Sequence, residues 1–240
     1  MSKNIDLLSS EPNVVQKITE MIHKSPNNFS GPSIYFHQKT IECVKSRRKF
    51  LTNKHIEYIY ATLVSWGMHR MGPNGATMPD YKTFKESVLT KNNRRFFKKW
   101  RGKRIDDISE CDFRNFIEEL IPICFGIEAT VSNSKLVSSS KTLAHILPDL
   151  VPPIDRQYTL KFFHMYDNHI STPEKAKNVF KSIMLYMFDF YRNKEILDIA
   201  KGSLDNEFKD SLPKIFDNVL INCVNDDLTC HQKIQSKHSI

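Results

Sequence analysis

The stretch 172–193 does most to limit the fold. Thr172-Pro173-Glu174 supplies an N-cap, a proline at the first helical position and an acid in the first turn. Behind it, Ala176, Val179, Phe180, Ile183, Met184, Met187, Phe188 and Tyr191 recur at the 3.6-residue spacing of one helix face. Leu185 and Tyr186 widen the stripe, which predicts a central helix buried on two sides. A run of methionine and aromatic side chains at this spacing reads as core, not as a cofactor box.

A second helix follows Asn53, with Ile56, Ile59, Tyr60, Leu63, Val64 and Gly67 on one face. A third starts at about Asp112 and carries Phe113, Phe116, Ile117, Leu120 and Ile121. It should end or kink at Pro122, because proline removes a backbone donor and clashes with the preceding turn. Weaker helical periodicity marks 12–24, 32–46, 81–89, 92–101, 156–167 and 209–224. No stretch alternates cleanly enough for a strand, and 7 glycines are too few for the turns of a sandwich or barrel. The expectation is an all-α, multi-helix fold in two closely packed lobes with a cleft between them. Residues 1–225 form one domain on this reading, and the polar, aperiodic 226–240 a flexible tail. Breaks fall at Ser25-Pro26-Asn27-Asn28, at Ser30-Gly31-Pro32, and over Gly67–Asp80, a glycine- and proline-rich exposed loop.

No apolar run approaches the roughly 18 residues that cross a bilayer, and the first ten residues lack an apolar signal core. The chain therefore reads as intracellular (cytoplasmic, or with the nucleoid or nucleus) and without a membrane partner. The five cysteines are scattered, none lies in a C-x-x-C, and no Cys/His cluster has zinc-finger spacing. They read as small core residues in a reducing compartment, with no disulfide, metal or cofactor expected.

The net charge of +8 is unevenly distributed. Residues 1–104 hold 20 Lys+Arg against 7 Asp+Glu, and residues 105–240 hold 15 against 20. The densest part is Lys91 with Arg94, Arg95, Lys98, Lys99, Arg101, Lys103 and Arg104, eight cations in fourteen residues. Such clustering suits the phosphates of a nucleic acid, because each neutralised phosphate releases counterions and adds affinity. The interleaved Phe96, Phe97 and Trp100 would anchor the helix or offer a stacking surface. The competing reading is a solvated face of an amphipathic helix. Lys45, Arg47, Arg48 and Lys49 form a second, smaller cluster.

Ser138-Ser139-Ser140-Lys141 matches the S-x-x-K pattern of penicillin-binding enzymes, but the companion motifs S-D-N and K-T-G are missing. The serines read more simply as helix N-caps, with their amides offering a weak phosphate site. Around them, Lys135 to Tyr158 reads as a short helix, a stop at Pro148, an extended Pro152-Pro153 connection, and a new helix capped by Asp155.

That segment resembles the core motif of the helix–hairpin–helix DNA glycosylase superfamily. Pro153-Ile154-Asp155 matches the family's aspartate element, and Lys141 stands where its lyase-active members keep a lysine. Tyr60–Trp66 and Phe116–Ile123 correspond in order to earlier core helices, so the resemblance covers about residues 53–167. Val137 and Ser139 replace the hairpin glycines, and no four-cysteine set for an iron–sulfur cluster follows. The resemblance implies a DNA-binding protein acting on double-stranded DNA with a damaged base. Lys141 would be the nucleophile of an N-glycosylase/lyase and Asp155 its stabilising carboxylate. Arg94, Arg95, Lys98, Lys99, Arg101, Lys103, Arg104 and Ser138–Ser140 would be contacts to DNA. The alternative is a non-catalytic nucleic-acid-binding or protein-interaction helical module.

Overall fold

Thr52, Asp80, Thr90, Ser109, Thr172 and Asn193 each accept a hydrogen bond from the backbone amide three residues on, and a helix begins at every one of them. The computed structural model describes residues 14–24, 31–69, 77–131, 135–165, 170–205 and 209–237, the last eleven of these by backbone alone. Among them are eleven helices and no strand. The first six are α1 (Val14–His23), α2 (Pro32–Lys45), α3 (Asn53–Ser65), α4 (Tyr81–Val88), α5 (Lys91–Trp100) and α6 (Glu110–Gly126). There follow α7 (Leu136–Ala144), α8 (Thr159–Phe162), α9 (Pro173–Arg192), α10 (Lys194–Gly202) and α11 (Leu212–Lys237). No described helix is long and apolar enough to cross a membrane. The expected break at 25–30, residues 70–76 of the expected loop, and 238–240 lie outside the described residues.

The all-helical expectation holds, and α9 is its centre. All eight residues of its apolar stripe are buried, with Phe180, Ile183, Met184 and Met187 wholly so. It packs against α6, α7 and α10, and Phe188 stacks on Phe113 of α6 at 4.8 Å between ring centroids. Buried apolar side chains of nearly every helix join in one contiguous core. The first and last described helices meet across it, since α1 packs on both α10 and α11, and Asn222 donates to the carbonyls of Met21 and Lys24.

Three expectations change. Pro122 does not end its helix: α6 runs on to Gly126. Pro122 and Glu118, whose carbonyl loses its amide partner, are both exposed, so water takes over the missing bond. The described part of 156–167, residues 156–165, holds only the four-residue α8, because residues 156–158 form a turn first. The last helix, expected over 209–224, stays helical to Lys237, through most of the stretch read as a tail. A further helix, α10, follows α9 directly with Asn193 as its cap and had not been set apart by pattern.

Candidate functional site

Two neighbouring bonds draw the chain together around α7. The amide of Ile154 donates to the Ser140 hydroxyl at 3.1 Å, and one residue on, Lys141 Nζ donates to Asp155 Oδ2 at 2.6 Å. The Pro152-Pro153 stretch thus runs back beside α7, and its end places a carboxylate opposite the lysine. Asp155 Oδ1 also accepts from the amide of Gln157 at 2.7 Å, while its own amide donates to Thr159 Oγ1. Burial pushes its carboxyl up, but the Lys141 ammonium and the amides of Gln157 and Tyr158 outweigh that and hold it below the usual carboxylate range. Asp155 caps a turn, not a helix start.

The pair opens onto a cleft of about 370 Å³. Trp66 lines it at the C-terminus of α3, delivered by a Schellman turn. The Met68 amide bonds the Leu63 carbonyl, the Gly67 amide bonds that of Val64, and Gly67 takes the left-handed φ of 78° that this turn needs. The other wall is α11, where Lys214, Asp217 and Ile221 line the cleft at spacings of three and four. Lys214 Nζ pairs with Asp217 Oδ2 at 2.6 Å. The ammonium groups of Lys141 and Lys214 lie 5.6 and 5.8 Å from the Trp66 ring centroid, within cation–π range. Tyr158 also lines the cleft, whereas Trp100 is buried against Phe116.

Behind Trp66 runs a buried chain of polar side chains. His145 Nδ1 stands 2.7 Å from the Lys141 carbonyl, which can only accept, so that nitrogen carries the hydrogen. Burial, with repulsion from His37, pushes His145 down to about 3, so its Nε2 holds a lone pair. His37 Nδ1 lies 3.0 Å from it and is the donor. On the other side His37 Nε2 pairs with Asp210 Oδ2 at 2.7 Å. Asp210 is buried, yet the hydrogen bond and charge of His37 keep its carboxyl below the usual range. His37 thus lies between the Asp210 carboxylate and the His145 ring. Its ring stacks on Trp66, 5.9 Å away and inclined by 28°. His55 Nε2 lies 3.2 Å from the His145 carbonyl and donates to it, and burial lowers His55 to about 4.

Lys141 and Asp155 are therefore brought together, and the other expected site residues stand elsewhere. None of Lys91, Arg94, Arg95, Lys98, Lys99, Arg101, Lys103 and Arg104 lines this cleft. Lys91, Arg94, Arg95 and Lys98 line an open groove beside Leu89. Within the cluster Lys99 pairs with Glu119 and Arg104 with Asp106, while Arg101 donates to the Val44 carbonyl and lies over the Phe50 ring. Lys91, Arg95, Lys98 and Lys103 are exposed with no acidic partner among the described residues. Phe96, Phe97 and Trp100 face the core, so they anchor α5 and offer nothing for stacking.

The serine expectation is corrected. Ser138, Ser139 and Ser140 sit inside α7 and are fully buried, neither capping it nor reaching a phosphate. The hydroxyls of Ser138 and Ser140 donate back to the carbonyls of Lys135 and Val137, and the Ser139 hydroxyl has no hydrogen-bond partner among the described residues.

Lys214, Asp217, His37 and Asp210 also belong to the site and are not among the residues expected from sequence. The signal for the α11 pair was a lysine and an aspartate one turn apart inside an otherwise apolar helix face. His37 and Asp210 lie 173 positions apart and left no local trace. No group of three or more His, Cys, Asp or Glu side chains among the described residues is placed to hold a metal ion. Comparison with protein-family models, with curated proteins and with solved structures finds no match for this chain.

Proposed function

We propose that the chain is a DNA-binding protein of the base-excision glycosylase type, which takes one nucleotide from a damaged duplex into the Lys141–Asp155 cleft. The observation behind this is the placement of a lysine amine 2.6 Å from a carboxylate, beside an indole face, in a cleft open to solvent. A base inside a duplex hides its glycosidic bond, so the nucleotide has to be extruded first. Trp66 and Tyr158 give the cleft aromatic surfaces on which a base can stack.

Lys141 then attacks C1′. The C1′–N bond breaks, its electron pair leaves with the base, and the amine loses its protons to form an imine with the opened sugar. An amine attacks only without its proton, so the ion pair must open and the ammonium give a proton to solvent in the cleft, which leaves Asp155 ionised. The carboxylate then faces the positive charge that develops on the sugar. Helices before and after the cleft act as two lobes on this reading, and an intracellular site of action goes with it. Borohydride trapping of the imine on damaged duplexes tests it directly.

One observation favours a second reading, a non-catalytic nucleic-acid-binding module: the unpaired cations of α5 lie outside the cleft. Duplex affinity that depends on Lys91, Arg95 and Lys98 but not on Lys141, with no adduct on any lesion, is the outcome that supports it.

A further inference from the structure

The cleft holds a second lysine–aspartate pair that the chemistry above does not use. The side chains of Lys214 and Asp217 are 4% and 5% exposed. Burying such a pair is poor stability design, because apolar residues of similar volume do as well or better. Yet the pair faces the same space as Lys141, Asp155 and Trp66.

We propose that Asp217 is the acid of the cleft, giving a proton to the departing base while Lys141 takes the sugar. This rests on the glycosylase reading. As the C1′–N bond breaks, its electron pair moves onto the base. The base takes the proton of the Asp217 carboxyl and leaves neutral. The carboxylate that remains is held by the Lys214 ammonium 2.6 Å away until solvent returns the proton.

The surroundings divide the two carboxyls by role. Asp155 lies below the usual range, as described. For Asp217 burial is the largest influence and the charge of Asp155 adds to it, so the carboxyl ends above the usual range although Lys214 and Lys141 act the other way. The charged groups facing Asp217 are Lys214 on its own helix, Lys141 on α7, and Asp155 on the connection to α8. Two neighbouring carboxyls pushed apart in this way are suited to separate acid and anion roles.

Two assays separate this claim from the reading it rests on. One is single-turnover release of 8-oxoguanine or an oxidised pyrimidine from duplex DNA across pH. The other is borohydride trapping on a preformed abasic duplex, where no base remains to be protonated. Release by the native protein should fall on the alkaline side, as Asp217 loses its proton, while trapping does not. Asp217→Asn should lower release about a hundredfold and remove the alkaline limb. Asp217→Glu should restore part of the rate and the limb, and both variants should still be trapped on the abasic duplex. Unchanged release in Asp217→Asn, or equal loss of release and trapping, overturns the proposal. If that variant does not fold, the native profile decides: no alkaline limb also overturns it. A native protein that is not trapped on the abasic duplex sinks the glycosylase reading and the acid together. Trapping without release of any base sinks the acid alone.

Discussion

Lys141 and Asp155 are fourteen positions apart in sequence and 2.6 Å apart at their charged atoms, in a pair whose lysine is almost wholly buried. The Ser140–Ile154 bond beside it makes the contact a double tie between α7 and the Pro152-Pro153 connection.

Breaking one side of that tie should be costly. Lys141→Met or Asp155→Asn alone is expected to lower stability by about 2–3 kcal/mol, the lower range for a buried pair, because Asp155 keeps some solvent contact. In a double-mutant cycle followed by urea denaturation, the two changes should couple by about 1–3 kcal/mol. A depressed carboxyl contributes stability above its unfolded pKa and loses it as pH falls through its folded value. The coupling should therefore fade below the ordinary carboxylate range. Strict additivity at neutral pH contradicts the pair.

The buried histidines oppose folding on mild acidification. His145 and His55 are lowered to about 3 and about 4. Between those values and about 6.5 the unfolded chain takes up two protons that the folded one refuses. Asp149 works against them: burial, with Asp210 and Asp106, raises it to about 6, so below that pH the folded state holds the extra proton. Asp217, also raised by burial, works in the same sense as Asp149. Asp149→Asn should therefore lose stability from pH 6 to pH 4.5 more steeply than the native protein, by one proton or about 1.4 kcal/mol per pH unit. A flat profile in Asp149→Asn rules out the buried neutral histidines.

In the core, Phe180→Ala should cost about 3–5 kcal/mol, since the ring is wholly enclosed and its cavity cannot collapse in the middle of α9. A loss under about 1 kcal/mol in chemical denaturation would mean that α9 is not packed as described.

How much of this was readable beforehand varies by element. The stripe of α9 and its Thr172 cap are local features, and they translated directly into a helix. Lys141 and Asp155 were also readable, because a lysine-bearing helix and a Pro-Ile-Asp turn sit close together in sequence. The serines misled, since hydroxyls bonded back to carbonyls one turn earlier look like caps in sequence but suit a buried helix interior. Pro122 misled because its cost depends on whether the freed carbonyl meets water, which no local pattern states. The wall formed by Lys214 and Asp217, and the His37–Asp210 pair behind Trp66, depend on α11 coming back against α1 and α8, a long-range event invisible to periodicity.

The basic helix makes a separate claim. If Lys91, Arg95, Lys98 and Lys103 each neutralise a phosphate, duplex affinity should fall about a hundredfold between about 50 and 200 mM salt. Reversing Lys91, Arg95 and Lys98 to glutamate should weaken binding on all sequences alike and flatten the salt slope. Arg101→Ala should instead lower stability, since that guanidinium holds the Val44 carbonyl and covers Phe50. Equal effects of both sets on binding would contradict the division between free and committed cations.

The most direct measurement is borohydride trapping on duplexes carrying 8-oxoguanine, oxidised pyrimidines or a preformed abasic site. The account predicts a covalent protein–DNA adduct that maps to Lys141. Lys141→Gln should lose it while still binding duplex DNA, and Asp155→Asn should form it far more slowly, because a neutral amide cannot offset positive charge on the sugar. No adduct on any of these duplexes, or an adduct that survives Lys141→Gln unchanged, would contradict the account.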